Sequence, residues 1–194
     1  EGRVLVGGAD VARLDPVALR RRVGYVPQDG GLLPHWTARR NAALVPTLLG
    51  DPPAEAARRA DAALALVALD PGEFGGRYPH QLSGGQRQRV AVARALAAAA
   101  GLVLLDEPFG ALDAITRADV QAVFAAARAE RAAAGRPVSA LLVTHDLREA
   151  RRLADLVVVL RDGRVEQAAP FAELAARPAT AYVARLLERA GPDA

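Results

Sequence analysis

Two adjacent carboxylates, Asp106 and Glu107, follow the apolar segment "LVLL" at residues 102–105. A short apolar run predicts a buried strand, and ligands of open α/β sheets bind at the carboxyl ends of strands. One carboxylate there can hold Mg²⁺ through its water shell, while the other orients or deprotonates an attacking water. The pair alone leaves a second interpretation open, in which both side chains are merely solvated at a turn.

The stretch "QLSGGQRQRVAVARAL", residues 81–96, places a serine and two glycines directly before a long helical pattern. Ser83 can cap that helix, and Gly84 and Gly85 would let backbone N–H groups approach an anion at its N-terminus. Three such residues are also typical of an ordinary capped helix. The five-residue order "LSGGQ" is more specific and predicts a phosphate site.

Two further polar side chains indicate a function only through their position in an ordered set of motifs. Gln28 lies in the Gly-rich loop "QDGGLLPHW" (28–36), and His145 follows the apolar run "VSALLVT" (138–144). Singly, a loop glutamine is usually solvated and a histidine usually structural. Together the order is Gln28, "LSGGQ", "LVLLDEP", "ALD" and "VTHD".

That order resembles the ATPase subunit of ABC transporters over essentially the whole chain. The resemblance implies ATP and Mg²⁺ as cofactors, and it implies that Gln28 senses Mg²⁺ and the γ-phosphate and relays to a membrane subunit. It further implies a signature loop that contacts the ATP held by the opposite protomer, formed by Ser83, Gly84, Gly85 and Gln86.

The same resemblance assigns catalytic roles. It implies that Asp106, together with Gln28, is associated with Mg²⁺ and that Glu107 is the catalytic base for water. Asp113 would couple the two sites across a homodimer, and His145 would contact the γ-phosphate as the switch histidine. The implied reaction is phosphoryl transfer to water, in which positioning and charge stabilisation do most of the catalysis.

The expected fold is α/β, a P-loop NTPase of the ABC-ATPase type with a mainly parallel sheet, lacking its N-terminal strands and first helix. Apolar runs at 102–105, 138–144 and 156–160 alternate with helical stretches, and each predicts a strand covered on both faces. We expect one partial ABC ATPase domain over 1–194. Its parts are a core segment with the glutamine loop (1–36), a helical subdomain with the signature (37–96) and a core segment with the carboxylates and histidine (97–194).

Two less specific sequence segments indicate the type of importer. "GLLPHWTARRNAALVPTLLG" (31–50) and "DEPFGALDAITR" (106–117) resemble importers of quaternary amines such as glycine betaine, choline and carnitine. Nitrate and sulfonate importers, a soluble non-transport ABC ATPase and an inactive remnant remain alternatives. The resemblance implies permease subunits as partners, a solute-binding protein indirectly, and a peripheral place on the cytoplasmic face of the membrane. Arg39 and Arg40 oppose the dipole of the helix that Thr37 caps, and we expect them to face an acidic coupling segment.

Composition excludes some other classes. The chain has 194 residues, 52% of them hydrophobic, with no Cys, which excludes disulfides and thiolate metal sites. All 25 basic residues are arginine, the net charge is only +3, and aromatics make up 4%, so the pattern disfavours nucleic-acid binding.

A phosphate loop of the type GxxxxGK[ST] is absent, since the sequence contains no Lys. "EGRVLVGGADV" resembles the family just downstream of its first core helix, so we expect on the order of fifty preceding residues to be missing. The 194-residue chain alone is therefore expected neither to hydrolyse ATP nor to stay monodisperse, because neighbours of lost strands would expose apolar faces.

Overall fold

A computed structural model of the chain describes residues 2–98 and 100–190. It begins with a small antiparallel hairpin of β1 (Leu5–Val6) and β2 (Ala9–Asp10), whose turn is made by two glycines at positive φ. Helix α1 (Pro16–Arg21) follows, with the Asp15 carboxylate accepting a 2.7 Å hydrogen bond from the backbone N–H of Ala18. Both features suit the residue types, because glycine permits the turn and aspartate followed by proline is typical of a helix start.

The central sheet has the strand order β3 (Val23–Val26), β4 (Leu102–Asp106) and β5 (Ser139–Val143). Strands β3 and β4 pair in parallel, with Val23 opposite Leu102 and Val26 opposite Leu105. A helix, α6 (Gly84–Ala97), packs against β3. A Cβ on Gly24 would lie 2.8 Å from the Ala95 carbonyl oxygen, so this close helix–strand approach requires glycine.

Between β3 and β4 the chain is helical, as predicted. The helices are α2 (Ala38–Ala42), α3 (Leu44–Leu48), α4 (Pro53–Leu66), α5 (Pro71–Phe74) and α6. Helices α2, α4 and α6 pack on one another through small side chains, and Ala42, Ala60 and Ala91 are fully buried. Small residues at these contacts let the helix axes come close, which suits the alanine-rich composition.

Two arginines hold the C-terminal end of α6. Arg59 on α4 donates to the Ala97 carbonyl oxygen at 2.8 Å, and Arg131 on α7 (Ala114–Ala133) donates to the Leu96 carbonyl oxygen at 2.9 Å. The last carbonyls of a helix have no partner within the helix, so these side chains satisfy them.

The chain divides into two compact units, residues 1–141 and 142–194. The second unit contains α8 (Leu147–Leu153), the antiparallel hairpin of β6 (Val157–Arg161) and β7 (Arg164–Ala169), α9 (Phe171–Ala176) and α10 (Ala181–Ala190). Asp162 and Gly163 form the hairpin turn at φ 50° and 74°, and Asp-Gly is a dipeptide typical of such turns. Its core comprises Ala150, Val157, Val159, Ala169, Leu174 and Val183.

Strands β5 and β6 are not covered on both faces, which corrects the expectation from their continuous apolar runs. Leu141 and Val143 of β5 are 60% and 53% exposed, and Leu160 of β6 is 62% exposed. The hairpin partner of β6 explains its pattern, because antiparallel pairs commonly bury one face only. Within the described residues, no helix is long and apolar enough to cross a membrane.

Candidate functional site

The loops that follow β3 and β4 meet at one edge of the sheet. The Gln28 side chain donates from Nε2 to Oε2 of Glu107 at 3.3 Å. Because parallel strands present their carboxyl ends at the same edge, residues 79 apart in sequence come into direct contact. The structure thus brings together the loop glutamine and the carboxylate that the sequence singled out separately.

Glu107 has an unusual backbone. Its φ is +41°, in the left-handed region that non-glycine residues occupy at a cost. The next turn of chain is closed by a 3.2 Å hydrogen bond from the Gly110 N–H to the Glu107 carbonyl oxygen. The half-buried carboxylate that accepts from Gln28 thus belongs to a residue with a strained backbone at the end of β4.

Asp106 ends β4, and its side chain is exposed. Within the described residues, no group of three or more His, Asp or Glu side chains is arranged to hold a metal ion. The oxygen-bearing side chains that follow β3 and β4 are those of Gln28, Asp106 and Glu107. Such a sparse set of hard oxygens fits Mg²⁺, which is usually held by one or two protein carboxylates together with phosphates and water.

A capping box forms the start of α6. The backbone N–H of Gln86 donates to Ser83 Oγ at 3.2 Å, and the N–H of Ser83 donates to Gln86 Oε1 at 2.9 Å. The predicted cap at Ser83 is confirmed. Gln86, which sequence reasoning placed only at a nucleotide, also fixes the start of this helix.

The two glycines of this segment have different surroundings. Gly85 is buried, and a Cβ there would overlap the methyl group of Thr116 on α7. Gly84 is exposed, and its nearest neighbour would be Leu112 Cδ2 at 3.8 Å, an ordinary contact. Helix packing therefore requires glycine at 85, whereas the surroundings of Gly84 would accept a Cβ, and the approach of a ligand to Gly84 stays a prediction.

Asp113 is the N-cap of α7, a role that the sequence did not predict. Its Oδ1 accepts from the N–H groups of Ile115 and Thr116 at 3.1 and 3.0 Å, and its Oδ2 accepts from Thr116 Oγ1 at 2.6 Å. The hydroxyl of Thr116, then its backbone N–H, lower the pKa of Asp113. Thr116 touches Gly85 as well, so it connects the signature loop to Asp113.

His145 belongs to the second unit and is exposed. Its neighbours are fixed: the Thr144 hydroxyl donates to the buried Glu149 carboxylate at 2.6 Å, and the Asp146 N–H donates to Thr144 Oγ1 at 3.0 Å. The backbone on both sides of His145 is thereby held at the start of α8.

Asn41 is a residue that sequence reasoning missed. It is fully buried in α2, accepts from the Leu33 N–H at 2.8 Å, and donates to the carbonyl oxygens of Leu33, Trp36 and Thr37 at 3.0–3.1 Å. Asparagine inside a short alanine-rich helix is locally unfavourable, which is the signal that could have revealed it. It anchors the far end of the loop that begins at Gln28.

Arg39 has its partner within the chain. Its Nε lies 2.6 Å from Asp61 Oδ1 on α4, and Nη2 donates to the Pro71 carbonyl oxygen at 3.0 Å. Arg40 instead lies over the Trp36 ring, 4.2 Å from its centroid. The expectation that both arginines await an external acidic segment therefore holds, as a prediction, for Arg40 only.

Comparison with known proteins decides the family. The family model described as "ABC transporter" matches residues 1–110. The chain belongs to the ABC transporter family. A relative, the carnitine transport ATP-binding protein OpuCA of Listeria monocytogenes, is 45% identical over 183 residues, covering 94% of this chain and 45% of that protein. The choline transport ATP-binding protein OpuBA of Bacillus subtilis is 42% identical, covering 99% and 50%.

Solved structures give the same ABC fold. The dimeric structure of the ATP-binding cassette MJ0796 in a post-hydrolysis state, bound to ADP and Pi, has a TM-score of 0.72 and 31% identity, covering 88% of this chain and 74% of that one. The predicted fold class, α/β with a parallel sheet of the ABC-ATPase type, is confirmed. The chain spans about half the length of the curated relatives it matches.

Proposed function

We propose that this protein is the ATP-hydrolysing subunit of an ABC importer for quaternary-amine osmoprotectants. The observation that carries the proposal is the contact between Gln28 and Glu107 at the carboxyl edge of the parallel sheet. Relatives named for carnitine and choline transport support the substrate class.

Glu107 acts as the base in this proposal. It accepts a proton from the attacking water, and the strained backbone together with the Gln28 amide fixes the direction of its carboxylate. Asp106 and the Gln28 amide oxygen hold Mg²⁺, which when bound neutralises charge on the phosphate oxygens. His145 donates a hydrogen bond to the γ-phosphate from the start of α8.

The signature segment supplies the other half of a shared site. Ser83, Gly84, Gly85 and Gln86 stand at the N-terminus of a 14-residue helix, whose dipole favours an anion. The solved structure of the similar cassette MJ0796 is dimeric, which supports a homodimer in which this segment serves an ATP bound by the second copy. Permease subunits hold that dimer at the cytoplasmic face of the membrane, and a solute-binding protein acts through them.

The test is made in the transporter assembled from the complete subunit and its permease in proteoliposomes. We expect ATP turnover that glycine betaine, choline or carnitine stimulates, and we expect Glu107→Gln to abolish phosphate release while ATP binding persists. Stimulation by nitrate or sulfonates instead would reassign the substrate. Turnover that survives Glu107→Gln would contradict the assignment of the base.

The isolated 194-residue chain provides a second arm of the test. Without the N–H groups and Lys of a phosphate loop, we expect it to show no ATP hydrolysis. Extending it at the amino terminus with a phosphate-loop segment of a family member should restore turnover. Hydrolysis by the unextended chain that disappears on Glu107→Gln would overturn this expectation.

A further inference from the structure

We propose that Arg94 is a positioning residue that couples α6, the helix beginning at the signature segment, to the loop carrying Gln28. This inference rests on the proposed function, because it concerns the placement of Gln28 at Glu107. Arg94 was not among the functional residues predicted from the sequence. It lies in the alanine-rich stretch "AVARALA".

Arg94 hydrogen-bonds directly to the backbone of the loop. Its Nη2 donates to the Gly30 carbonyl oxygen at 2.7 Å, and its Nη1 donates to the Gly31 carbonyl oxygen at 2.5 Å. The side chain is only 8% exposed. Two consecutive carbonyls bound by one planar guanidinium form a bidentate contact that the single ammonium of lysine cannot reproduce.

The loop conformation that accepts both hydrogen bonds from Arg94 depends on two glycines. Gly30 and Gly31 have φ of +75° and +53°, values that glycine adopts without strain. A Cβ on Gly30 would lie 3.3 Å from Gln88 Oε1, and a Cβ on Gly31 would lie 2.8 Å from Pro27 Cγ. The loop is thus packed between Pro27 and the buried face of α6.

Charge makes the contact sensitive to substitution. Burial lowers the pKa of Arg94, and the nearby Asp29 carboxylate opposes that effect. Asp29 also accepts a 3.0 Å hydrogen bond from the Gly31 N–H. A neutral side chain at 94 would leave the carbonyl oxygens of the buried Gly30 and of Gly31 without this donor, which favours release of the loop.

Contacts at the start of α6 and at the end of the loop would transmit a movement of α6 to Gln28. A capping box fixes the first turn of α6, and Asn41 holds the loop at Leu33 and Trp36. Gln28 stands two residues before Gly30. A shift of α6 when the signature segment closes on a nucleotide must therefore carry Gly30 and Gly31, and with them the Gln28 amide that now lies 3.3 Å from Glu107.

The decisive experiment compares Arg94→Met and Arg94→Lys with Arg131→Met. Arg131 is the control, because its guanidinium also donates to a backbone carbonyl oxygen, but to that of Leu96 on α6 rather than to the loop that carries Gln28. In the assembled transporter we expect Arg94→Met to lower kcat for ATP on the order of 10- to 100-fold with little change in KM. Arg94→Lys should recover only part of this loss, and Arg131→Met should leave kcat close to wild type.

A double-mutant cycle with Gln28→Ala separates positioning from general destabilisation. If Arg94 acts through Gln28, Arg94→Met lowers kcat no further once Gln28 is alanine. Losses that multiply independently, or an equal loss in Arg131→Met, would overturn the proposal.

Amide hydrogen exchange of the complete subunit in the assembled transporter gives a readout that does not need ATP hydrolysis. Arg94→Met should speed exchange across residues 28–36, whereas Arg131→Met should not. Unchanged exchange in that loop would refute the coupling. A wild-type transporter without ATP turnover would instead refute the proposed function, and the exchange result would still decide whether Arg94 holds the loop.

Discussion

At the scale of single residues, neighbouring glycines are constrained by different physics. The methyl group of Thr116 requires glycine at 85, whereas a Cβ on Gly84 would make only ordinary van der Waals contacts. The sequence grouped both as ligand-approach positions, since "GG" before a helix carries no information about a neighbouring helix thirty residues away. The contact that distinguishes them is tertiary.

The glycine pair gives a stability prediction. Gly85→Ala should lower the free energy of unfolding by roughly 1–3 kcal/mol, because the added methyl group overpacks the α6–α7 contact. Gly84→Ala, the matched control, should change it by less than about 0.5 kcal/mol. Urea unfolding followed by circular dichroism measures both. Equal losses would show that the Thr116 contact does not limit this site.

Asp113 gives a pH prediction. Its pKa is lowered from an ordinary value of 3.8, so its ionised form stabilises the fold above that pH, and the contribution is lost as pH falls through the lowered value. The difference in Tm between wild type and Asp113→Ala should therefore be large at pH 7 and shrink below about pH 4. Asp113→Asn, which keeps an acceptor but cannot titrate, should show a flatter acid profile. A pH-independent difference would contradict the assignment.

Local caps were predictable and long-range polar contacts were not. The caps at Asp15 and Ser83 follow from the residue type and the helical pattern after it, and both were found. Arg94 reaches carbonyls 63 and 64 residues away, and Gln28 reaches a carboxylate 79 residues away. No local pattern encodes such distances, although the family resemblance had already singled out Gln28 and Glu107.

At the scale of elements, the start of α2 is stabilised from outside its own helix. Positive charge in its first turn opposes the helix dipole, but Arg39 pairs with Asp61 of α4, and both side chains are a little over one-third exposed. The compensating carboxylate of Asp61 lies 22 residues downstream of Arg39. The sequence pattern could therefore indicate the unfavourable positive charge but not the residue that pairs with it.

This pair gives an element-scale prediction. A double-mutant cycle of Arg39→Ala and Asp61→Ala should give a coupling free energy of about 0.2–1 kcal/mol, since partial exposure screens the attraction. Thermal unfolding at low and high salt measures it, and the coupling should fall as salt rises. Arg58 and Glu55, an exposed pair on α4 alone, serve as the comparison. Zero coupling at low salt would show that Asp61 does not compensate α2.

The strands show where pattern reasoning fails at this scale. Boundaries of β4, β5 and β6 fall within a residue or two of the apolar runs, because strand length is encoded locally. Coverage is not encoded locally, since a continuous apolar run is compatible with one covered face or two. The exposed Leu141, Val143 and Leu160 show the difference.

At the scale of the whole molecule, apolar side chains on the central sheet reach solvent. Tyr25 of β3 is 51% exposed and Leu141 of β5 is 60% exposed, values unusual for strands of an α/β sheet. The sequence predicted exposed apolar faces for a chain without the family's first strands. The exposure agrees with that prediction, and its cause stays a prediction.

Exposed sheet surface predicts self-association of the 194-residue chain. We expect light scattering to show species larger than a monomer, decreasing when Leu141→Arg places a charge on the sheet. Ile115→Arg is the control, because Ile115 is 78% exposed but lies on the first turn of α7. A monodisperse wild type, or equal effects of both substitutions, would contradict the role of the sheet.

One indole, that of Trp36, dominates the optical signal of the 194 residues. It is the single tryptophan, it sits at the end of the loop that Arg94 and Asn41 hold, and a guanidinium lies 4.2 Å from its ring centroid. Excitation at wavelengths where tyrosine does not absorb therefore samples that loop alone. Bulk emission of the unlabelled molecule becomes a spectroscopic record of whether the loop is held or released.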